Sequence, residues 1–346
     1  MNKKVIFGGA AALAAGGIIA VGMSHAKIDK MLNEQLQKEI NSGTISGYKD
    51  AHCEGLLSHT CYIDDLQFTP AGAGQSMTIR RMTIKNPEGY VAIENGGLAY
   101  LKDAEVSVEA RGIYIDGTEA MQSLRDGLKQ NVKAFPGEVA DLEHALDGDM
   151  AVLFDLKARQ NAPDTTDAEL NLTVETGKSI SAAAYVNVLV PKIAQENMTR
   201  DTLADAMMKQ MTIRAVTLRL DTKKGLVQDI FYAIYLQDIE ERQAFGYSKQ
   251  DAIASVNAQF NLDDSDLLDK ETVANLAAQL FLEGFRQSNA TGKVADALGL
   301  SFKDFIAGKR QYVGIRLVNQ SDNDFMTMLQ AIMLDTGLKN VTIEPL

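Results

Sequence analysis

The stretch that decides the fold is TCYIDDLQFTPAGAGQSMTIRRMTIK, residues 60–85. On both sides of a glycine-rich turn, apolar residues mostly alternate with polar ones, which is typical of half-buried strands. The apolar positions are Cys61, Ile63, Leu66, Phe68, Met77, Ile79, Met82 and Ile84. The turn from Pro70 to Gly74 predicts that the two strands form a β-hairpin.

Both strands of this hairpin carry the pattern apolar-x-x-apolar-x-apolar, in which one extra residue interrupts strict alternation. The pattern occurs at residues 63–68, 79–84, 101–106, 213–218 and 338–343. An extra residue is what a β-bulge adds when it bends a strand. The pattern therefore predicts a curved sheet, although six-residue patterns of this kind also arise by chance in β proteins.

Further alternating segments predict that the sheet continues along the chain. We expect strands at 91–93, 98–114, 152–158, 170–174, 180–190, 213–220, 312–318 and 341–343. Apolar residues at helical spacing predict helices at 28–40, 118–135, 138–146, 199–208, 226–236, 248–260, 273–281 and 325–333. The expected fold class is α+β: an N-terminal membrane helix, then a curved, largely antiparallel β-sheet with inserted and C-terminal helices.

The distribution of strands and helices divides the chain into three expected parts. Residues 1–26 form a membrane anchor or signal segment, 27–195 a strand-rich domain with a helical insertion, and 196–346 an α+β domain. The second boundary is placed near 192–200, where the strand-dominated half ends.

The N-terminus carries an apolar run from Val5 to Met23 behind Lys3 and Lys4. Its length is close to the roughly 20 residues that cross a bilayer, which favours an uncleaved anchor. The small-x-small sequence at 24–26 instead suits cleavage of a secretory signal. In both cases the positive charge stays inside, so the body of the protein is expected to be exported.

The composition excludes one class of partner. The chain has 34 basic and 46 acidic residues, a net charge of −12, no Trp and only 6% aromatic residues. Nucleic acid is therefore not an expected partner, because phosphate neutralisation and base stacking both lack the necessary side chains.

Cys53 and Cys61 are the only cysteines, and they lie close together. In an oxidising compartment they predict a disulfide that closes a small loop ahead of the first strand. A metal site that adds His52 and His59 is an alternative, although the spacing matches no standard zinc motif, and free thiols are a third.

Two segments resemble phosphate-binding and calcium-binding motifs, but the residues around them do not fit those motifs. The Gly72-Ala73-Gly74 turn has no helix behind it to cradle a phosphate. The acidic stretch 263–271 lacks the central Gly of a calcium loop, so Asp266 or Asp269 is expected to cap the next helix. We therefore expect a non-enzymatic protein without catalytic, cofactor or metal residues.

Two segments resemble a known family. Residues 216–229 run from a strand into a Gly-Leu-hydrophobic-Asp turn, and residues 245–252 contain Gly246-Tyr247-Ser248 before a helix. In this order they resemble the C-terminal region of the YdgA-like family of bacterial proteins, and 55–58 resembles its first repeat. The resemblance covers the N-terminus, the first strands and about 212–320, whereas the middle and the paired cysteines have no counterpart. It implies a bacterial inner-membrane anchor with the body in the periplasm, or a soluble periplasmic or secreted body if the signal is cleaved, and it implies no catalytic residues.

Two functions fit these expectations. The first is binding or transfer of a lipid or another apolar ligand in a groove of the sheet, next to the membrane that holds the anchor. The groove positions are Ile63, Leu66, Phe68, Ile79, Met82, Ile84, Val106, Val108, Val216, Leu218 and Leu220, since alternation sends their neighbours to solvent. The second is a structural or assembly factor of the cell envelope that acts through contacts with other envelope proteins.

Overall fold

The computed structural model describes residues 28–55, 58–68, 77–87, 103–115, 150–162, 165–176, 180–191, 211–287, 292–320 and 341–346. The fold is α+β and is dominated by one large, curved, antiparallel sheet, as expected. The predicted N-terminal membrane helix lies outside the described residues. Within them, no helix has both the length and the apolar character needed to cross a membrane.

All eleven described strands belong to this sheet. They are β1 (Ile45–Gly47), β2 (Asp50–Glu54), β3 (Thr60–Phe68), β4 (Met77–Lys85), β5 (Asp103–Ile115), β6 (Met150–Ala162), β7 (Thr165–Thr176), β8 (Ile180–Pro191), β9 (Thr212–Thr222), β10 (Tyr312–Asn319) and β11 (Val341–Pro345). From β3 to β11 each strand pairs with the next one in the chain, while β1 and β2 both pair with β3. The predicted hairpin of residues 60–85 is confirmed as β3 and β4.

Five helices are described: α1 (Ile28–Asn41), α2 (Leu226–Ala244), α3 (Lys249–Asn257), α4 (Lys270–Gln287) and α5 (Gly292–Ile306). Two of these helices, α3 and α4, begin with ordinary side-chain caps. Ser248 Oγ accepts a hydrogen bond from the Asp251 amide at the start of α3, and Asp269 Oδ1 accepts one from the Thr272 amide at the start of α4. The predicted capping role of Asp269 is confirmed.

Alternation gives the sheet one apolar and one polar face, because residues that pair across antiparallel strands lie on the same face. The apolar set continues from Ile63 and Met82 through Val108 and Leu156 to Leu317, following the register from strand to strand. At one end, α1 packs on this face and completes a buried cluster. Near the other end, α4 and α5 pack on the same face around Leu220 and Val313.

The extra residues of the apolar-x-x-apolar pattern in β3 and β4 lie at an interruption of the strand pairing, and the interruption continues to Gly112 of β5, outside the pattern segments. The register places Asp65 opposite Arg80, and Arg80 opposite Gly112. Asp65 and Gly112 both have positive φ, at 51° and 63°. In β9 the same pattern coincides with a shift in register against β8. The sequence pattern therefore marks irregularities in β3, β4 and β9, whereas the pairing of β5 with β6 is unbroken over the described part of 101–106.

A Gly112→Ala substitution is expected to lower the free energy of unfolding by about 1–3 kcal/mol, the cost of a strained backbone position. The added Cβ would lie 2.7 Å from the Arg80 Cβ, and the positive φ disfavours any L side chain. Chemical denaturation measures the change. Gly47→Ala on β1 is the control, because nothing lies within 4 Å of a Cβ there. Equal stability of the two variants would contradict this account of the bend.

Several expectations lie outside the described residues, namely the strand at 91–93 and the helices at 118–135, 138–146, 199–208 and 325–333. The domain boundary predicted near 192–200 falls between β8 and β9, which pair directly, so the sheet continues across it. Three described elements, β1, β2 and α5, have no counterpart among the sequence predictions.

Candidate functional site

The candidate site is the least buried stretch of the apolar face in the described part of the chain, which we call the central trough. Its residues are Leu170, Leu172 and Val174 of β7, Ala182, Ala184 and Val186 of β8, Val216 and Leu218 of β9, and Ile315 of β10. All are half-buried or exposed. The helix-covered parts of the apolar face lie on either side of them.

Two alanines make the floor of the trough low. In one row across the strands, Leu172 pairs with Ala184 and Ala184 with Leu218. In the next row Ala182 lies between Val174 and Leu220. Because alanine has no atoms beyond Cβ, β8 leaves space between the larger side chains of β7 and β9.

Exposure changes along the trough. Leu218 is 44% exposed and Ala182 is also exposed, although both belong to the apolar face. Further along the same two strands, Ala168 and Val188 are 0% and 1% exposed. The trough is therefore open near Ala182 and closed toward the β7–β8 end that holds Thr166 and Val190.

The structure separates the eleven predicted groove residues into three groups. Eight of them are at most 3% exposed and form a filled cluster with α1: Ile63, Leu66, Phe68, Ile79, Met82, Ile84, Val106 and Val108. Leu220 packs partly buried against the cluster of α4 and α5. Only Val216 and Leu218 line the central trough. Its other lining residues were absent from the predicted set, although the alternation of residues 180–190 assigned Ala182 and Ala184 to a strand.

The opposite face of the sheet is polar and carries ion pairs. Arg81 donates to both carboxylate oxygens of Asp64, at 2.7 and 3.0 Å, and this contact holds the pKa of Asp64 below its usual value. Further along the sheet, Lys157 Nζ lies 3.0 Å from Glu105 Oε1. This face is solvated, so an apolar ligand has a surface to bind only on the other side.

The predicted disulfide between Cys53 and Cys61 is present. It joins two residues that pair directly across β2 and β3, rather than stapling a turn ahead of the first strand. The bond uses both thiols, which removes them from the alternative metal site. His52 instead contacts Asp50, with 2.8 Å between Nδ1 and Oδ2, and the described residues contain no His, Cys, Asp and Glu group that could hold a metal ion.

The acidic loop before α4 is held by a buried polar network. Asn257 Nδ2 donates to the backbone carbonyls of Asp264 and Asp266, and Tyr235 donates its hydroxyl to Asn257 Oδ1. The hydroxyl of Tyr235 also accepts from the Leu268 amide, so these groups are satisfied within the protein. These hydrogen bonds hold the acidic loop in place, so its conformation requires no bound ligand.

A comparison with models of known protein families finds no match for this chain, and a comparison with curated proteins finds none either. The resemblance to the YdgA-like family stays a prediction. The geometry of the apolar face is therefore the basis for the function proposed below.

Proposed function

We propose that the protein is a non-enzymatic envelope protein that binds the acyl chain of a lipid in the central trough. The observation that carries the proposal is the 44% exposure of Leu218 on an apolar face that helices cover on either side. A sheet face that serves only as core is expected to be covered along its whole length, and an uncovered apolar surface commonly marks a binding site. The sequence adds the predicted membrane anchor, which would hold the trough beside lipid.

The free energy of binding favours a long chain. Each buried methylene contributes about 0.8 kcal/mol, so about ten of them contribute ~8 kcal/mol. Association itself costs roughly 4–15 kcal/mol. A short apolar molecule therefore cannot offset that cost, whereas a long acyl chain laid along β7 and β8 can.

Photo-crosslinking of the full-length protein in its native membrane tests the proposal. A benzophenone amino acid at position 218 places the reactive group in the trough, and the same amino acid at Thr217 places it on the polar face. After irradiation, mass spectrometry should find a lipid adduct at position 218 and none at position 217. Absence of lipid at both positions would overturn the proposal.

The second candidate is an assembly factor of the envelope that acts through protein contacts. Exposed apolar side chains on the helical part favour it: Phe245 is 85% exposed and Leu300 is 73% exposed. Phe245 lies in the turn after α2, and Leu300 lies on α5. In the crosslinking experiment, protein adducts at positions 245 and 300 without a lipid adduct at 218 would favour this candidate.

A further inference from the structure

The closed end of the central trough contains a buried hydroxyl group that has no hydrogen-bond partner. Thr166 of β7 is 0% exposed, and its Oγ1 makes no hydrogen bond. No other buried side-chain oxygen or nitrogen in the described part of the chain lacks a partner. Buried hydroxyls are nearly always paired, because an unpaired one loses its water without compensation.

Thr166 lies on the apolar face, in line with the trough. Residues 166, 168, 170, 172 and 174 of β7 share this face, and β8 contributes 190, 188, 186, 184 and 182 opposite them. The six-residue interval from Thr166 to Leu172 corresponds to about 20 Å along a strand. One extended chain that lies along these two strands therefore spans the distance from the open end of the trough to the unpaired hydroxyl, and it has to displace the contacts that bury Ala168 and Val188 to reach that hydroxyl.

We propose that the ligand of the trough is an acyl chain that carries an uncharged hydrogen-bonding group, such as an ester carbonyl, and that this group pairs with Thr166 Oγ1. The inference rests on the proposed function and adds the chemical class of the ligand. Thr166 donates its proton to the carbonyl oxygen, and the hydrocarbon lies over Leu170 and Ala184 toward the open end.

The residues around Thr166 explain why the hydrogen-bonding group of the ligand is uncharged. Its partner across β8 is Val190, and the next residues on the same face are Ala168 and Val188. Its partner across β6 is the uncharged, exposed Gln160. The nearest described basic residue by register is Arg159 of β6, which pairs with Asp167, and alternation sends both of these side chains to the other face. A carboxylate here would be a buried charge without a counter-ion, which proteins avoid.

The experiment compares three photoreactive probes of equal chain length on the full-length protein in bilayer nanodiscs. Each probe is a diazirine-containing long chain, ending in a methyl ester, a methyl group or a carboxylate. Labelling of the wild-type protein by the ester should exceed labelling by the hydrocarbon by about fivefold to tenfold, the equivalent of one hydrogen bond. The carboxylate should label least.

Thr166→Val keeps the shape of the side chain and removes the hydroxyl, so the preference for the ester over the hydrocarbon should disappear while the hydrocarbon still labels. Thr166→Ser, which keeps the hydroxyl, should retain the preference, and Thr217→Val on the polar face should behave as the wild type. An undiminished preference in Thr166→Val, or best labelling by the carboxylate, would overturn the inference. Labelling by none of the probes would instead refute the proposed function itself.

Discussion

An Asp in place of Ile79 is expected to unfold the protein, whereas an Asp in place of Leu218 is expected to leave it folded. Both residues lie on the apolar face, but Ile79 is 0% exposed beneath α1 and Leu218 is 44% exposed. Burial of an unpaired charge costs several kcal/mol, which is comparable to the roughly 5–15 kcal/mol stability of a whole domain. At Leu218 the new carboxylate remains in contact with water.

Thermal unfolding followed by circular dichroism measures this difference, with Ile79→Val and Leu218→Val as matched controls. Ile79→Val removes one methyl group and should cost only about 0.5–1.5 kcal/mol. The folded Leu218→Asp variant should lose labelling by the diazirine-containing ester and hydrocarbon probes, since a charge opposes an acyl chain at that position. A folded Ile79→Asp protein would mean that the α1 end is open. Unfolding of Leu218→Asp would mean that the trough is ordinary core and would favour the assembly-factor function.

Ile79 and Leu218 show that the sequence predicts which face a residue lies on but not whether that face is covered. Both belong to a segment with the pattern apolar-x-x-apolar-x-apolar, and the period of two correctly places each on the apolar face. Whether that face is covered depends on α1, which precedes Ile79 by about 40 residues in the chain. Local periodicity contains no information on such a contact, so an open trough and a filled core give the same pattern.

The elements without sequence predictions have specific causes. β2, with the sequence DAHCE, has one apolar alanine and a cysteine, so no alternation marks it as a strand. It is formed by its pairing with β3 and by the disulfide, which are contacts between segments. α5 contains Gly299 with φ of 28° and ψ of −109°, a kink that interrupts its helical pattern. Its burial against α4 compensates for the interruption.

The trough could have been partly inferred from the alanines of β8. Ala182 and Ala184 lie on the apolar face among larger residues, which is unusual for a strand that has to fill a core. Thr166 gave no such signal, because a Thr in a strand is ordinary and its hydroxyl commonly finds a backbone partner. Only the three-dimensional structure shows that this hydroxyl is buried and unpaired.

Removal of the Cys53–Cys61 disulfide is expected to lower the free energy of unfolding by about 2–3 kcal/mol, the loop-entropy value for a short loop. The cysteines are eight residues apart, and Cys61 is 0% exposed within the cluster that α1 covers. The bond also fixes β2, whose Cys53 amide donates to Asp29 Oδ1 of α1 at 2.8 Å. Its loss should therefore loosen the α1 end of the sheet first.

The measurement is chemical denaturation of a variant in which both cysteines are replaced by Ala, because alanine adds no buried hydroxyl at position 61. Wild-type protein in a thiol reductant should lose a similar amount of stability, whereas the reductant should not affect the variant. Hydrogen exchange should show faster exchange in β2 and α1, with α4 and α5 unchanged, because those helices pack on a distant part of the sheet. Two titratable thiols in unreduced protein would contradict the prediction, since the wild-type chain would then have no covalent link between β2 and β3 to lose.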